Sequence, residues 1–415
     1  MSIATERLVN GLLKGFRGSL SPGEVRAMLS QDVEIVAPHS RARLQDLWPA
    51  IWALASVLER QLFGRVFIRC GIARALPAPS RLGPRCQFTD SKSTVSLSIK
   101  LGVCADNAHP NQLVGDARAG AIAIGELLDV DLVSASPIEC FVLAGYLGYA
   151  ALARLVGIPD SGKEYTRPVL RLLCDHDALA HALDQADGLT SIGLGQIGQA
   201  YLALLYFLYK GTLAGRRITL IDDDNFQSEN GRTQLLLEEG GNWIGKEKVA
   251  YIQHVLKEWG ANVQAVPKKI DWTWRRELDH PSIALLGLHD LEGRRMASAA
   301  GFERLIEAGV GTNLLKPRIT WHTFPGDSAI GRRLFPEQAT SMQDESIDAV
   351  WADELRSTPG RCGWVEFLGV SSTAPCLGAA AAAFALAELG NRAEVVSGAA
   401  LLWSQCLPIL RKPGY

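Results

Sequence analysis

Hydrophobic and polar positions change period several times along this chain. Leu44 to Leu62, rich in Leu, Trp and Ala, carries the helical repeat. Gln87 to Val103 alternates apolar and polar residues (TVSLSIKLGV) and predicts a strand. Ser136 to Val156 predicts a long apolar helix entered through Pro137, and the turn-rich PDSGKEY of Pro159 to Tyr165 breaks the pattern. Leu173 to Leu189 predicts a helix bearing Asp and His. The second half alternates regularly. A strand at Thr190–Gly193 leads to a helix at Ile197–Tyr209, and a strand at Ile218–Ile221 leads to an amphipathic helix at Lys246–Trp259. Strands at Asn262–Val266 and Ile283–Leu288, a helix at Arg294–Ala308 and a strand at Ile319–Phe324 follow. Such alternation predicts an α/β fold with a doubly wound, mostly parallel sheet over residues 186–415, preceded by an N-terminal α/β domain over 1–185.

The segment from Ser191 to Asp224 carries the first chemical signal. Gly193, Gly195 and Gly198 form a Gly-x-Gly-x-x-Gly turn that opens an apolar helix, and the strand Arg217–Ile221 ends in three aspartates. Glycines let backbone approach a phosphate, the helix N-terminus offers free N–H groups, and an acid closing the second strand suits a ribose.

Composition narrows the class. Of 415 residues, 47% are hydrophobic and 21% charged, enough for a large core, and the formal net charge of −2 removes the bulk case for a nucleic-acid partner. The eight cysteines include no Cys-x-x-Cys pair, so a zinc knot of the common spacing is not expected. The N-terminal residues lack the pattern of a secretory signal, and no uncharged apolar run of membrane-spanning length stands out. The expectation is a cytoplasmic chain with free thiols and no membrane contact.

The residues after the turn decide which nucleotide chemistry fits. Asp222 and Asp224 close one strand; Asn230, Arg232 and Gln234 follow in SENGRTQ, then Gly245, Lys246 and Lys248 in IGKEK. A further strand ends at His289 and Asp290, with Arg294 and Arg295 beyond. Hydride transfer does not need this set. Attack of a carboxylate on the α-phosphate of ATP does, because the charge building on the triphosphate calls for cations and for Mg²⁺ held by an aspartate.

In order and near-family spacing, GLGQIG, LIDDD, SENGRTQ, IGKEK and LGLHD resemble the ThiF/MoeB family of adenylyltransferases, which includes ubiquitin-activating enzymes. The resemblance covers about residues 186 to 395 and implies a Rossmann-like adenylation fold using ATP and Mg²⁺. It implies that Gly193, Gly195 and Gly198 line the phosphates, Asp222 holds the ribose, Asp224 and Asn230 support the nucleotide loop, Lys248 contacts phosphate and Asp290 holds Mg²⁺. One departure stands out. The family arginine falls where this chain has Thr233, so Arg232, one residue earlier, is the candidate to replace it.

Two cysteines bear on a thioester step. Cys362 lies in a Pro/Gly-rich loop beside Arg361, where a thiol is reachable and a cation favours thiolate; it is the candidate nucleophile, with a small core residue as the plain alternative. Cys376 starts a helix among apolar neighbours, which favours burial. His289 reads as a metal-tuning or strand-closing residue, and His322 as a cleft residue or a strand-end histidine bonded to backbone. Trp272 and Trp274 read as packing on one face of an extended segment, and one of Arg294 and Arg295 as a surface charge.

The resemblance implies adenylation of the C-terminal carboxylate of a ubiquitin-like protein, thioester transfer to a cysteine, and hand-over to a conjugating-enzyme-like partner. The alternatives are adenylation of a sulfur-carrier protein or peptide, an NAD-dependent oxidoreductase, and a non-catalytic scaffold. One internal echo bears on assembly: the segment from Ser134 (SASPIECFVLAGYLGYAALARLVG) resembles that from Val370 (VSSTAPCLGAAAAAFALAELG). Either two Ala/Leu helices coincide, or the N-terminal half is a degenerate copy that completes a pseudo-dimer within the chain; a homodimer is the other arrangement.

Overall fold

Two sheets form, and each repeats the plan of the other. In this computed structural model the described residues are 9, 12, 20–70, 76–91, 93–103, 111–119, 121–124, 134–157, 170–171, 174–238, 241–311, 318–337, 373–391, 393–401 and 412–413. The first sheet contains β1 (Val33–Val36), β2 (Val66–Arg69), β3 (Cys86–Thr89), β4 (Leu97–Leu101), β5 (Gln112–Arg118), β6 (Ala121–Ile124) and β7 (Leu170–Arg171), ordered β3-β2-β1-β4-β5-β6-β7. The second contains β8 (Leu189–Ile192), β9 (Arg217–Ile221), β10 (Asn262–Val266), β11 (Ile283–Leu286), β12 (Arg304–Val310), β13 (Arg318–Phe324), β14 (Val396–Leu401) and β15 (Lys412–Pro413), ordered β10-β9-β8-β11-β12-β13-β14-β15. In both, the first five strands of that order run parallel and the rest pair antiparallel.

The helices repeat too. In the first half, α1 (Pro22–Leu29) precedes β1, α2 (Arg41–Gln61) lies between β1 and β2, and α3 (Pro137–Leu155) between β6 and β7. Their counterparts are α4 (His176–Gln185) before β8, α5 (Gln196–Leu208) between β8 and β9, and α9 (Ala374–Ala387) between β13 and β14. Among the described residues the second half adds α6 (Lys248–Glu258) after β9, α7 (Leu291–Ser298) after β11 and α8 (Ser328–Leu334) after β13.

Helices α2, α3, α5 and α9 pack together, so the two halves share one core. The echoed segments are the partners at its centre. Helix α3 starts at a capping box of Ser136 and Glu139 with Pro137 behind it, and is long and apolar enough to cross a membrane, yet 94% of its apolar window is buried in the protein. Its Gly145 allows a close crossing of α9. A Cβ there would stand 2.7 Å from both the Ala380 Cβ and the Cys376 carbonyl oxygen, so bulk at this position costs ~1–3 kcal/mol. Trp52, Phe141 and Phe207, on helices from both halves, meet at centroid distances of 5.6 to 6.4 Å.

Two sequence expectations need correction. The region Gln87–Val103 is not one strand: edge strand β3 and inner strand β4 are separated by a loop through Asp90 and Ser91. The helix expected at Arg294–Ala308 is α7 followed by β12. Gly301, at φ +89°, ends the helical path, and Leu305 and Ile306 enter opposite cores, so a strand buried on both faces mimics helical spacing. The strand expected at Ile319–Phe324 forms as β13, antiparallel to β12, in a second sheet that is mostly parallel as expected.

Candidate active site

The glycine turn sits at the carboxyl end of β8, a wholly buried strand between β9 and β11. Gly193 adopts φ +80°, a conformation L side chains resist, and its N–H donates to the Ile221 carbonyl at 2.9 Å. Gly198 lies within the first turn of α5, where a Cβ would fall 2.0 Å from the Gly193 oxygen. Gly287, just past β11, closes the same point: its Cβ would stand 2.5 Å from the Gly193 oxygen and 2.7 Å from the Gly198 nitrogen. Gly195, the N-cap of α5, has no neighbour within 4 Å of a Cβ position, so the turn is packed beneath and open at its crown. An open backbone at a helix N-terminus is a site for anionic oxygen.

Acid and base meet beside the crown. Asp222 Oδ2 accepts the Leu194 N–H at 2.6 Å and Oδ1 accepts the Asp224 N–H at 2.9 Å. Lys248 Nζ lies 2.6 Å from Asp224 Oδ2 and 3.8 Å from Asp222 Oδ1. Burial pushes the Asp222 carboxyl up, opposed by Lys248 and by the two backbone donors. Asp222 therefore braces the turn, while the Asp224 side chain is 64% exposed. Asn230 Oδ1 accepts the Gln227 N–H at 2.8 Å and fixes a short 3₁₀ turn, Ser228–Arg232. Asp290 follows β11 and caps α7, its Oδ1 accepting the Gly293 N–H at 2.5 Å. The three glycines, Asp222, Asp224 and Lys248 thus share one sheet edge, and Asp290 stands at the end of the strand next to β8.

Arg232 is placed differently from what the resemblance implies. Its guanidinium donates to the Glu59 and Leu62 carbonyls at 3.2 and 3.0 Å and lies over the Phe63 ring, so these contacts fasten the 3₁₀ turn to the first half of the chain. Neither Arg294 nor Arg295 is a surface charge. Arg294 pairs with fully buried Glu307 at 2.9 Å and donates Nε and Nη2 to the Leu288 carbonyl; Arg295 donates to the Phe335 carbonyl. Arg294 thereby holds the backbone two residues before Asp290. His322 bonds a side chain, not backbone: its Nδ1 lies 2.8 Å from Ser397 Oγ, and burial, with Arg294 nearby, pushes the imidazole down to about 4.

The remaining candidates separate. Cys362 lies outside the described residues. Cys376 is fully buried, its Sγ 3.3 Å from Gln61 Nε2 and 2.9 Å from the Thr373 carbonyl oxygen, and burial pushes the thiol up to about 12, which makes it a packing residue. Trp274 stacks on His280 and Phe302, whereas Trp272 is 45% exposed, so the two do not share a packed face. His289 is exposed. A cavity of about 470 Å³ opens elsewhere, among Trp48, Trp52, Phe88, Tyr251 and Trp259, and none of the turn glycines lines it.

Sequence reasoning passed over Gln199, Gly287 and Glu307, and it named Gln234 without foreseeing its bond to Gln199. Gln199 is fully buried; its Nε2 donates to the Leu194 carbonyl at 3.1 Å and to Gln234 Oε1 at 2.6 Å, and its Oε1 accepts the Leu236 N–H at 3.0 Å. The available signal was a lone amide in the interior of an otherwise apolar helix.

The acidic groups at this edge differ in how well they suit Mg²⁺. Asp222, Asp223 and Asp224 bring carboxylate oxygens within 4.8 Å of one another, but Lys248 already pairs with two of them. Asp290 stands outside that group. One carboxylate at a strand end, completed by phosphate oxygens and water, suits Mg²⁺, which keeps most of its shell outside the protein.

The family described as the BilD C-terminal domain matches residues 186–395. The bacterial E1-like protein BilD of Collimonas sp. (strain OK412) is 27% identical over 285 residues, 66% of this chain and 61% of that protein, so the chain spans about three-fifths of this relative's length. Among solved structures, E. coli MccB is similar at 17% identity and a TM-score of 0.35 over 57% of this chain and 64% of that one. The complex of E. coli MccB with AMPCPP and MccA gives 15% identity and a TM-score of 0.34 over 72% and 94%. With its second half matched from before β8 to the start of β14, the chain belongs to the BilD C-terminal domain family.

Proposed function

We propose that this chain adenylates the C-terminal carboxylate of a ubiquitin-like protein with MgATP, releases pyrophosphate, and passes the acyl group to a cysteine and on to a conjugating-enzyme-like partner. One observation carries the reading: an open glycine crown braced by Asp222, with Lys248 beside it and Asp290 at the neighbouring strand end. The family membership and the E1-like relative support it.

The β8–α5 turn receives the triphosphate at the N-terminus of α5, and the bare Cα of Gly195 lets an oxygen come close. Asp222 and Asp224 lie on the sugar side. Lys248 leaves Asp224 to counter phosphate charge without moving its own backbone, whose N–H is fixed to the Asp224 carbonyl at 3.0 Å. Asp290 would hold Mg²⁺, which when bound neutralises charge on the triphosphate. The substrate carboxylate oxygen bonds the α-phosphorus and pyrophosphate leaves. The thiol sulfur of Cys362 then takes the acyl carbon and AMP departs. The first half, with the same strand order but no glycine between β1 and α2, acts as the inactive member of an intramolecular pair.

The test is ATP–pyrophosphate exchange. Exchange stimulated by a small ubiquitin-like protein ending in glycine, and lost in Asp290→Ala with the fold intact, supports the reading. Exchange with a sulfur-carrier protein or short peptide alone would redirect it. NADH fluorescence enhancement without MgATP binding would overturn it.

A further inference from the structure

A hydrogen-bonded relay runs from the first half of the chain into the glycine turn of the second. It starts at Arg60, in the last turn of α2 and only 5% exposed. Its Nε donates to the Gln234 carbonyl at 2.8 Å, and its Nη2 to the Leu235 and Leu237 carbonyls at 3.0 and 2.8 Å. Nη1 donates to the Ser56 carbonyl at 2.9 Å, which anchors the guanidinium to its own helix. The planar fork thus gathers three carbonyls of the segment after the 3₁₀ turn. Gln234, itself buried, passes the constraint on through its side chain to Gln199, and Gln199 donates to the Leu194 carbonyl inside the turn. The Leu194 N–H closes the chain on Asp222. Each joint from Arg60 to Asp222 is buried, where such bonds gain strength and an unmade one is costly.

We propose that Arg60 is a positioning residue for the nucleotide site, so that the half without a glycine turn sets the geometry of the turn in the other half. This rests on the adenylation reading for its ligand, but not for its geometry. Lysine cannot replace this arginine: one ammonium cannot reach carbonyls spread along four residues in the directions a guanidinium serves.

The experiment uses the full chain with Arg60→Lys, Gln234→Met, the double variant, and Arg65→Ala as a control from an exposed ion pair with Asp32 in the same half. MgATP affinity is read by titration, the KM for ATP and kcat by pyrophosphate exchange, and the glycine-turn amides by hydrogen exchange. Arg60→Lys is expected to weaken MgATP binding and raise the KM roughly tenfold, with kcat within about twofold, the scale expected for losing a charge-assisted hydrogen-bond set. The amides of Gly193, Leu194 and Gly195 exchange faster without nucleotide. The double variant loses no more than the worse single variant, because both cut one relay, and Arg65→Ala behaves as wild type. If Arg60→Lys does not fold, Gln234→Met alone carries the same expectations. Wild-type affinity and turn exchange in both single variants, or multiplicative losses in the double, overturn the inference. Failure of the wild type to bind MgATP would instead sink the adenylation reading, while the hydrogen-exchange result still decides the relay.

Discussion

Replacing Arg294 with Met tests the buried pair under β12. Glu307 is fully buried, Arg294 is 11% exposed, and the charges stand 2.9 Å apart. Among the described residues the next basic group, His322, is 3.9 Å from Glu307 and is kept neutral by its burial. Removing Arg294 leaves a carboxylate without a partner charge, which costs about 3–5 kcal/mol. Glu307 escapes by taking a proton. Burial raises its pKa and Arg294 lowers it, so the variant raises it further. A carboxyl with a raised folded pKa binds more protons folded than unfolded, so stability falls as pH rises above the ordinary glutamate value. Urea denaturation followed by tryptophan fluorescence should show a larger loss at pH 8 than at pH 5.5, and Arg294→Met/Glu307→Gln should recover most of it. Exchange activity should fall beyond the stability loss, because the Leu288 carbonyl before Asp290 loses both its Arg294 bonds. A loss under about 1 kcal/mol, independent of pH, would refute the assignment of an isolated buried pair.

Three other outcomes follow from the geometry. Gly198→Ala must push its Cβ off the Gly193 oxygen, so it should lose ~1–3 kcal/mol and MgATP binding together, whereas Gly195→Ala should keep its stability and lose only affinity; equal effects on both properties would contradict an open crown. His322, held down to about 4, is protonated more readily unfolded, so stability should fall as pH drops from ~6.5 toward 4, and His322→Gln should flatten that slope in a denaturation series. Cys376 should resist iodoacetamide at pH 8 until urea unfolds the chain, as read by peptide mass mapping; rapid native labelling would show that its burial is misjudged.

Part of the molecule was legible because its physics is local. The glycine turn, the β-branched strand ending in aspartates, and α6 with Val249, Ile252 and Leu256 on one face are written within short windows, and the structure forms each of them. The long helix entered through Pro137 also announced itself, since cap, proline and apolar run are contiguous. The helix–strand break after Ser298 was not legible, because β12 is buried on both faces and its residues repeat with helical spacing by coincidence.

What the sequence determined by itself was the chemistry on offer: glycines for a phosphate, acids at a strand end, a lysine at a helix start. The tertiary structure decided which of these meet. It brought Lys248 onto Asp222 and Asp224, sent Arg232 to the first half, buried Arg294 against Glu307, and recruited Arg60 from 174 residues upstream of Gln234. Spacing along the chain fixes neighbours only within one element. Contacts between halves depend on the crossing of α3 and α9 and on side-chain length, which no local pattern records.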